Sequence, residues 1–165
     1  MPGERTPRRL PRPHGVGHST DGVERGAELP PRPQRSVRSF VLRQGRMTPA
    51  QRSAYELLLP HYGLAFEQSP LDFAKVFGRA APVVLEIGLG MGETTTAIAA
   101  AHPEQYFLGV EVHAPGVGSL LRQVDAARLT NVRVIRHDAV EVVEQMIPPA
   151  RLAGIHVFFP DPWPK

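Results

Sequence analysis

Apolar residues in the middle of the chain follow two alternating spacings. Four short, mainly apolar runs have the length of buried strands: 83–87, 106–110, 132–135 and 155–159. Three intervening segments repeat apolar residues at helical spacing: 93–101, 115–124 and 138–147. Continuous short runs are typical of strands buried on both faces, whereas repeats of three to four residues are typical of amphipathic helices. The pattern predicts alternating strands and helices, and hence a parallel, right-handedly wound sheet covered on both faces.

Two further helices are predicted before the first apolar run. Residues 48–51, Thr-Pro-Ala-Gln, have the form of a capping box with proline in the first turn. We expect the helix that they start to end at Leu59, because Pro60 follows. Residues 69–72, Ser-Pro-Leu-Asp, repeat the start signal for a short helix that Gly78 closes.

Composition divides the chain into two parts. Residues 1–36 are rich in Pro, Arg and Gly and lack apolar periodicity, which predicts a disordered tail. Residues 1–50 contain ten arginines and four acidic residues, a net charge of +6, whereas 51–165 carry −3. The tail is either a basic segment that attracts polyanions or a dispensable extension. The rest, 37–165, has room for one domain.

Several classes of site are not supported by the composition. The chain has no cysteine, and its seven histidines show no ligand spacing, so no metal site is predicted. No apolar segment has the length of a signal-peptide core or of a membrane span. These features predict a cytoplasmic protein without a metal.

A glycine-rich loop follows the first predicted buried strand. It contains Gly88 and Gly90 after Glu86, and glycines at this point allow a ligand to approach backbone amides. The nicotinamide dinucleotide fingerprint requires a third glycine where this chain has Glu93. An acid followed by GxGxG instead suits S-adenosylmethionine, which carries a sulfonium and an ammonium group. An NAD-type oxidoreductase and a turn that serves only packing remain alternatives.

Acidic residues follow the next two strands at the same predicted edge of the sheet. Glu111 is positioned to accept hydrogen bonds from ribose hydroxyls, and Asp138 from an adenine amino group. Asp138 can equally cap the following helix together with Glu141. Glu86 either faces the ammonium group of the cofactor or holds the glycine turn. His156, within the fourth run, is expected to be an ordinary structural residue.

Several motifs together resemble the tRNA (guanine-N7)-methyltransferase family. The last eight residues, FFPDPWPK, are close to a signature of that family, and the resemblance covers about 37–165. The motifs that carry it are SFVLRQGRMTPAQ at 39–51, EIGLGMGE at 86–93, GVEVHAPGVGSLL at 109–121, DAVEV at 138–142 and FFPDPWPK at 158–165. The resemblance implies a Rossmann-like class I methyltransferase fold, a doubly wound, mostly parallel sheet of which about four of seven strands are present.

The resemblance also implies roles for individual residues. S-adenosylmethionine contacts correspond to Glu86, Glu111, Asp138 and Asp161, with Gly88 and Gly90 in the glycine turn. Asp161 corresponds to the active-site residue and Lys165 to a substrate-binding position, and the implied substrate is a guanosine in the variable loop of tRNA. Trp163 is expected either to stack on the substrate base or to pack on the domain.

Relatives in this family continue beyond PDPWPK with a basic run and further strands. We therefore expect the fourth apolar strand to be an open edge, and these 165 residues alone to bind the cofactor weakly and methylate little. Besides the NAD-type enzyme, a non-catalytic RNA-binding fragment, with affinity supplied by the arginine-rich tail, remains an alternative.

Overall fold

The computed structural model describes residues 45–158. Five parallel strands form one sheet in the order β1-β4-β3-β2-β5. The strands are β1 (Gly63–Leu64), β2 (Val83–Ile87), β3 (Tyr106–Val110), β4 (Val132–Ile135) and β5 (Gly154–Val157). The helices are α1 (Pro49–Tyr62), α2 (Phe73–Phe77), α3 (Glu93–Ala101), α4 (Ala114–Ala126) and α5 (Ala139–Gln145). The predicted tail, Asp161, Trp163 and Lys165 lie outside the described residues.

Both faces of the sheet are covered, as the continuous apolar strands predict. Alternate residues of β2 enter different cores: Val84 packs with α1, α3 and α4, whereas Leu85 packs with α2 and α5. Side chains alternate between the faces of a strand, so a strand buried on both sides is mainly apolar on both faces. The α/β, doubly wound parallel fold is therefore confirmed.

The order of the strands creates a switch point at β2. From β2 the chain moves through β3 to β4 on one side and then returns to place β5 on the other. In open parallel sheets, ligands bind outside the carboxyl ends of the strands at such a reversal. Within the described range β5 is the outer strand on that side, and Ile155 and Val157 are 58% and 48% exposed. The expected exposed apolar edge is thus present in this part of the chain.

The predicted ends of two helices are wrong. Helix α1 continues through Pro60 to Tyr62, which is buried in the core, and the N–H of Gly63 closes its last turn on the carbonyl of Leu59. Because proline has no backbone N–H, Pro60 removes one hydrogen bond from the last turn, and burial of the Tyr62 ring offsets that loss. Helix α2 begins after Asp72 rather than Ser69, because the Asp72 carboxylate accepts hydrogen bonds from the first-turn backbone N–H groups.

A two-residue strand, β1, was not predicted. It follows α1 directly and pairs with β4 through Gly63 and Val134 and through Leu64 and Ile135. Two residues are too few to show a strand period, so only pairing with β4 defines this element.

Asn131 joins the end of α3 to the starts of β3 and β4. It is 5% exposed, and its Nδ2 lies 3.0, 3.2 and 3.1 Å from the carbonyl oxygens of Ala99, His102 and Gln105. Buried carbonyl groups must be paired, since an unpaired one retains its full desolvation cost.

We predict that Asn131→Ala lowers the free energy of unfolding by about 1–3 kcal/mol, because three carbonyl groups lose their donor. Urea denaturation followed by circular dichroism measures the change. The exposed neighbour Thr130 supplies the control, since Thr130→Ala should leave stability nearly unchanged. Equal stabilities of the two variants would contradict a structural role for the Asn131 amide.

Candidate functional site: the crevice at the carboxyl ends of β2, β3 and β4

The structure brings the predicted residues to one edge of the sheet. The glycine loop, 88–92, connects β2 to α3. Glu111 directly follows β3, and Asp138 lies between β4 and α5. Because the three strands are parallel neighbours, their carboxyl ends border one crevice.

The glycine loop is open on the side where side chains would project. Gly88 and Gly90 have φ angles of 76° and 56°, in the left-handed region that favours glycine. Among residues 45–158, a Cβ atom at either position would have no neighbour within 4 Å. Glycine is therefore needed here for backbone conformation, and within this range the side of the loop where side chains would project is open.

Helix α4 packs directly against this loop. A Cβ atom at Gly116, in the first turn of α4, would collide with the carbonyl oxygen of Gly90. The absence of a side chain at Gly116 therefore allows the backbone contact that holds the loop in place.

Glu111 connects the end of β3 to the loop. Its Oε1 accepts hydrogen bonds from the N–H groups of Val112 and His113, both at 2.8 Å, and its Oε2 accepts one from the N–H of Gly90 at 3.2 Å. Sequence reasoning missed this backbone role. A carboxylate offers about four acceptor positions. Glu111 can hold the loop and still accept a hydrogen bond from a ribose hydroxyl.

Glu86 is a buried acid in the centre of the sheet. It is 2% exposed, and its Oε1 accepts a hydrogen bond of 2.9 Å from Thr95 Oγ1 of α3. Its Oε2 is buried and has no hydrogen-bond partner among residues 45–158. Burial raises the pKa of Glu86, while the Thr95 hydrogen bond and the charge of His156 oppose that rise. The hydrogen bond of the Glu86 carboxylate thus goes to Thr95 of α3 rather than to the glycine turn.

Asp138 caps α5, as its position before that helix predicts. Its Oδ1 accepts a hydrogen bond of 2.8 Å from the N–H of Val140. The neighbouring Glu141 carboxylate contacts the imidazole of His137, which stacks on Phe66 with ring centroids 3.8 Å apart. Capping by Asp138 is therefore confirmed, whereas the predicted share of Glu141 in the cap is not, because its carboxylate contacts His137; a contact from Asp138 to adenine stays a prediction.

Thr95 and His156 are the polar neighbours of Glu86 that the sequence did not reveal. Thr95 is fully buried within a run of three threonines, and its hydroxyl satisfies one oxygen of the acid. Three consecutive threonines in an otherwise alanine-rich helix indicate only weakly that one of them hydrogen-bonds a buried polar group. Sequence spacing alone does not pair His156 with Glu86, since 69 positions separate them and only the β2–β5 register joins them.

Neither a metal-binding cluster nor a membrane-spanning helix occurs in residues 45–158. Residues 45–158 contain no group of three or more His, Cys, Asp or Glu side chains arranged to hold a metal ion. In the same range, no helix combines the length and apolar character needed to cross a membrane.

Comparison with known proteins identifies the family. A family model described as "Putative methyltransferase" matches residues 80–165, which include β2 to β5 and the whole crevice. The chain belongs to this methyltransferase family. The glycine loop and the acids that follow β3 and β4, Glu111 and Asp138, therefore lie within the region that matches the methyltransferase family.

Curated relatives carry a more specific name. The chain is 59% identical over 133 residues to a tRNA (guanine-N(7)-)-methyltransferase of Nitrosospira multiformis, covering 81% of this chain and 58% of that relative. It is 59% identical over 129 residues to the enzyme of the same name from Nitrosomonas europaea, covering 78% and 58%. The chain thus spans somewhat more than half the length of these relatives.

One solved structure is a more distant match. Phosphoethanolamine N-methyltransferase 2 of Haemonchus contortus, in complex with S-adenosyl-L-methionine, is 20% identical with a TM-score of 0.38, over 64% of this chain and 24% of that chain. A likeness of this size is too small to bear on ligand or mechanism.

We predict that Glu86→Gln stabilises the cofactor-free methyltransferase at neutral pH. Because the folded-state pKa of Glu86 lies above its ordinary value, the folded protein binds the extra proton and wild-type stability falls as pH rises through that pKa. The amide keeps the acceptor for Thr95 and removes the buried charge. We expect a gain of about 1–3 kcal/mol at pH 7.5 and a smaller gain near pH 4.5.

Urea denaturation at the two pH values measures this difference. Glu144 lies exposed on α5, so Glu144→Gln is the matched control and should show no comparable change between the two pH values. If Glu86→Gln were less stable than wild type at pH 7.5, the buried carboxylate would have a partner that the structure does not reveal.

Proposed function

We propose that the protein transfers the methyl group of S-adenosylmethionine to N7 of a guanosine in the variable loop of tRNA. The observation that carries this proposal is a glycine loop that is open among residues 45–158, beside a buried acid with one oxygen that has no hydrogen-bond partner in that range, in a chain 59% identical over 133 residues to a tRNA (guanine-N(7)-)-methyltransferase. The motif FFPDPWPK at 158–165 supports the same substrate. We place the activity in the cytoplasm, where tRNA is available.

The residues of the crevice fit the cofactor by chemistry. The unpaired Oε2 of Glu86 is a buried anionic group suited to an ammonium group. In this proposal Glu111 offers its remaining acceptor position to the ribose, and Asp138, at the next strand end, accepts a hydrogen bond from the adenine amino group. The open side of Gly88 and Gly90 lets the cofactor approach the backbone closely. When bound, S-adenosylmethionine supplies an electrophilic methyl group on its sulfonium.

The substrate requires little acid–base chemistry. Guanine N7 has an in-plane lone pair, so no proton leaves before N7 attacks the methyl group, and a strong general base is unnecessary. We propose that Asp161 accepts hydrogen bonds from N1–H and the amino group of guanine. That contact would hold N7 in line with the methyl group and oppose the positive charge that develops on the purine.

Two further residues of the terminal motif complete the proposal. Trp163 would stack on the substrate base, an interaction worth about 1–3 kcal/mol in single-stranded nucleic-acid sites. Lys165 would contact a phosphate of the tRNA. Like Asp161, both lie outside the described residues, so their roles rest on the motif alone.

We predict that the protein binds S-adenosylmethionine and not NAD in isothermal titration calorimetry. Glu111→Ala should weaken S-adenosylmethionine binding at least about tenfold, because the substitution removes a ribose acceptor and releases the N–H of Gly90. Glu104, an exposed acid before β3, provides Glu104→Ala as the control that keeps wild-type affinity. Preferential NAD binding would favour the oxidoreductase alternative.

We predict that the protein in its full-length form methylates a tRNA transcript at a variable-loop guanosine, measured by borohydride and aniline cleavage at N7-methylguanosine. Asp161→Ala should lower the rate roughly 100-fold, since orienting and electrostatic contacts are typically of that size. A transcript with 7-deazaguanosine at the target position lacks only the accepting atom and should receive no methyl group.

The same assay separates the enzyme from a non-catalytic RNA-binding protein. That alternative predicts salt-sensitive tRNA binding without methyl transfer, unaffected by Asp161→Ala. Methylation of the 7-deaza transcript at the same rate would show that N7 is not the accepting atom.

A further inference from the structure

His156 of β5 lies beside Glu86 of β2 in the sheet. The two residues are register partners in the parallel β2–β5 pair. Register partners in adjacent strands project to the same face of a sheet. His156 therefore projects on the face of Glu86 and Val84, which α1, α3 and α4 cover. Its neighbours Ile155 and Val157 are largely exposed on the opposite face.

Both residues of this pair contain a buried polar atom with no partner. Within residues 45–158, the buried side-chain nitrogen and oxygen atoms without a hydrogen bond are Glu86 Oε2 and His156 Nδ1. A buried unpaired polar group keeps its full desolvation cost, so proteins seldom keep one without a reason. Here the two occur at adjacent register positions, and one is an acceptor while the other belongs to a ring that donates when protonated.

Among residues 45–158, no other charged group acts on Glu86. Its register partner in β3 is Gly109, which has no side chain, and α3 contributes the neutral hydroxyl of Thr95. Among the described residues, His156 is the titratable group with an electrostatic effect on Glu86. The ring of His156 also contacts that of Phe158, with centroids 5.1 Å apart, which restricts its movement.

We propose that His156 is a positioning residue for the methyl donor: facing Glu86 across the β2–β5 pair, it keeps the buried carboxylate ionised for the donor's ammonium group. This inference rests on the proposed function, because it assigns Glu86 to S-adenosylmethionine. An ionised carboxylate attracts the ammonium group, whereas a protonated one does not. Burial raises the pKa of Glu86, and the electrostatic interaction with His156 opposes that rise.

The consequence is a defined pH dependence of donor binding. Without the imidazole, the pKa of Glu86 rises further, so binding is lost at a higher pH as the solution is acidified. A higher pKa of Glu86 weakens binding below that pKa and hardly at all well above it. His156→Leu should therefore bind S-adenosylmethionine measurably more weakly than wild type at acidic pH, with near-normal affinity at pH 8.5.

The experiment measures S-adenosylmethionine affinity by calorimetry from pH 5 to 8.5 for wild type, His156→Leu and His156→Gln. The polar amide of His156→Gln should restore part of the loss at low pH. His102 is an exposed histidine at the end of α3, distant in the fold from the carboxyl edge, so His102→Leu is the matched control and should follow the wild-type profile. Superimposed profiles for His156→Leu and wild type would overturn the inference.

A measurement on the cofactor-free protein decides the inference independently. The carboxyl carbon of Glu86, observed by ¹³C NMR, should titrate at a higher pH in His156→Gln than in wild type. Equal midpoints would overturn the role of His156 even if His156→Leu failed to fold. If wild type bound no S-adenosylmethionine at any pH, the proposed function would fail, while the NMR titration would still decide whether His156 controls Glu86.

Discussion

The burial of Glu86 is the physical constraint on which the site depends. An acid in the central strand of a parallel sheet loses its hydration, and Thr95 compensates only one of its two oxygens. The unpaired oxygen lies where the strand order reverses, between β3 and β5, which is also where parallel sheets bind ligands. A cationic ligand group at this point would offset that cost. The proposed role of Glu86 therefore sets stability against binding at one residue, as is common at functional sites.

The crevice is built mainly by backbone contacts. Glu111 accepts hydrogen bonds from three backbone N–H groups, one of them in the glycine loop, and α4 meets that loop at Gly116 without an intervening side chain. These contacts fix the loop before any ligand arrives, which lowers the entropy that binding must offset. The acid at the end of β3 thus shapes the site, and in the proposed function its remaining acceptor position serves the ribose.

The two wrong helix ends have a common cause. At Pro60 and at Ser69 the local signals were strong, yet burial of Tyr62 and capping by Asp72 determined where the helices end and begin. Local preferences amount to about 1–3 kcal/mol, and burying one aromatic side chain is worth a similar amount. Where the two conflict, packing decides, and packing is visible only once the partners are in place. β1 shows the same limit, since two residues form a strand only because β4 is beside them.

The order of apolar runs along the chain determined the four main strands, the helices between them, and the edge at which Gly88, Glu111 and Asp138 meet. That was possible because a parallel sheet brings all its strand ends to one side, so sequence position after a strand is enough to place a residue. Tertiary structure alone decided which oxygen of Glu86 is satisfied, that Glu111 holds the glycine loop, and that His156 lies opposite Glu86. These facts depend on strand register and side-chain direction between segments far apart in sequence, and no local pattern encodes them.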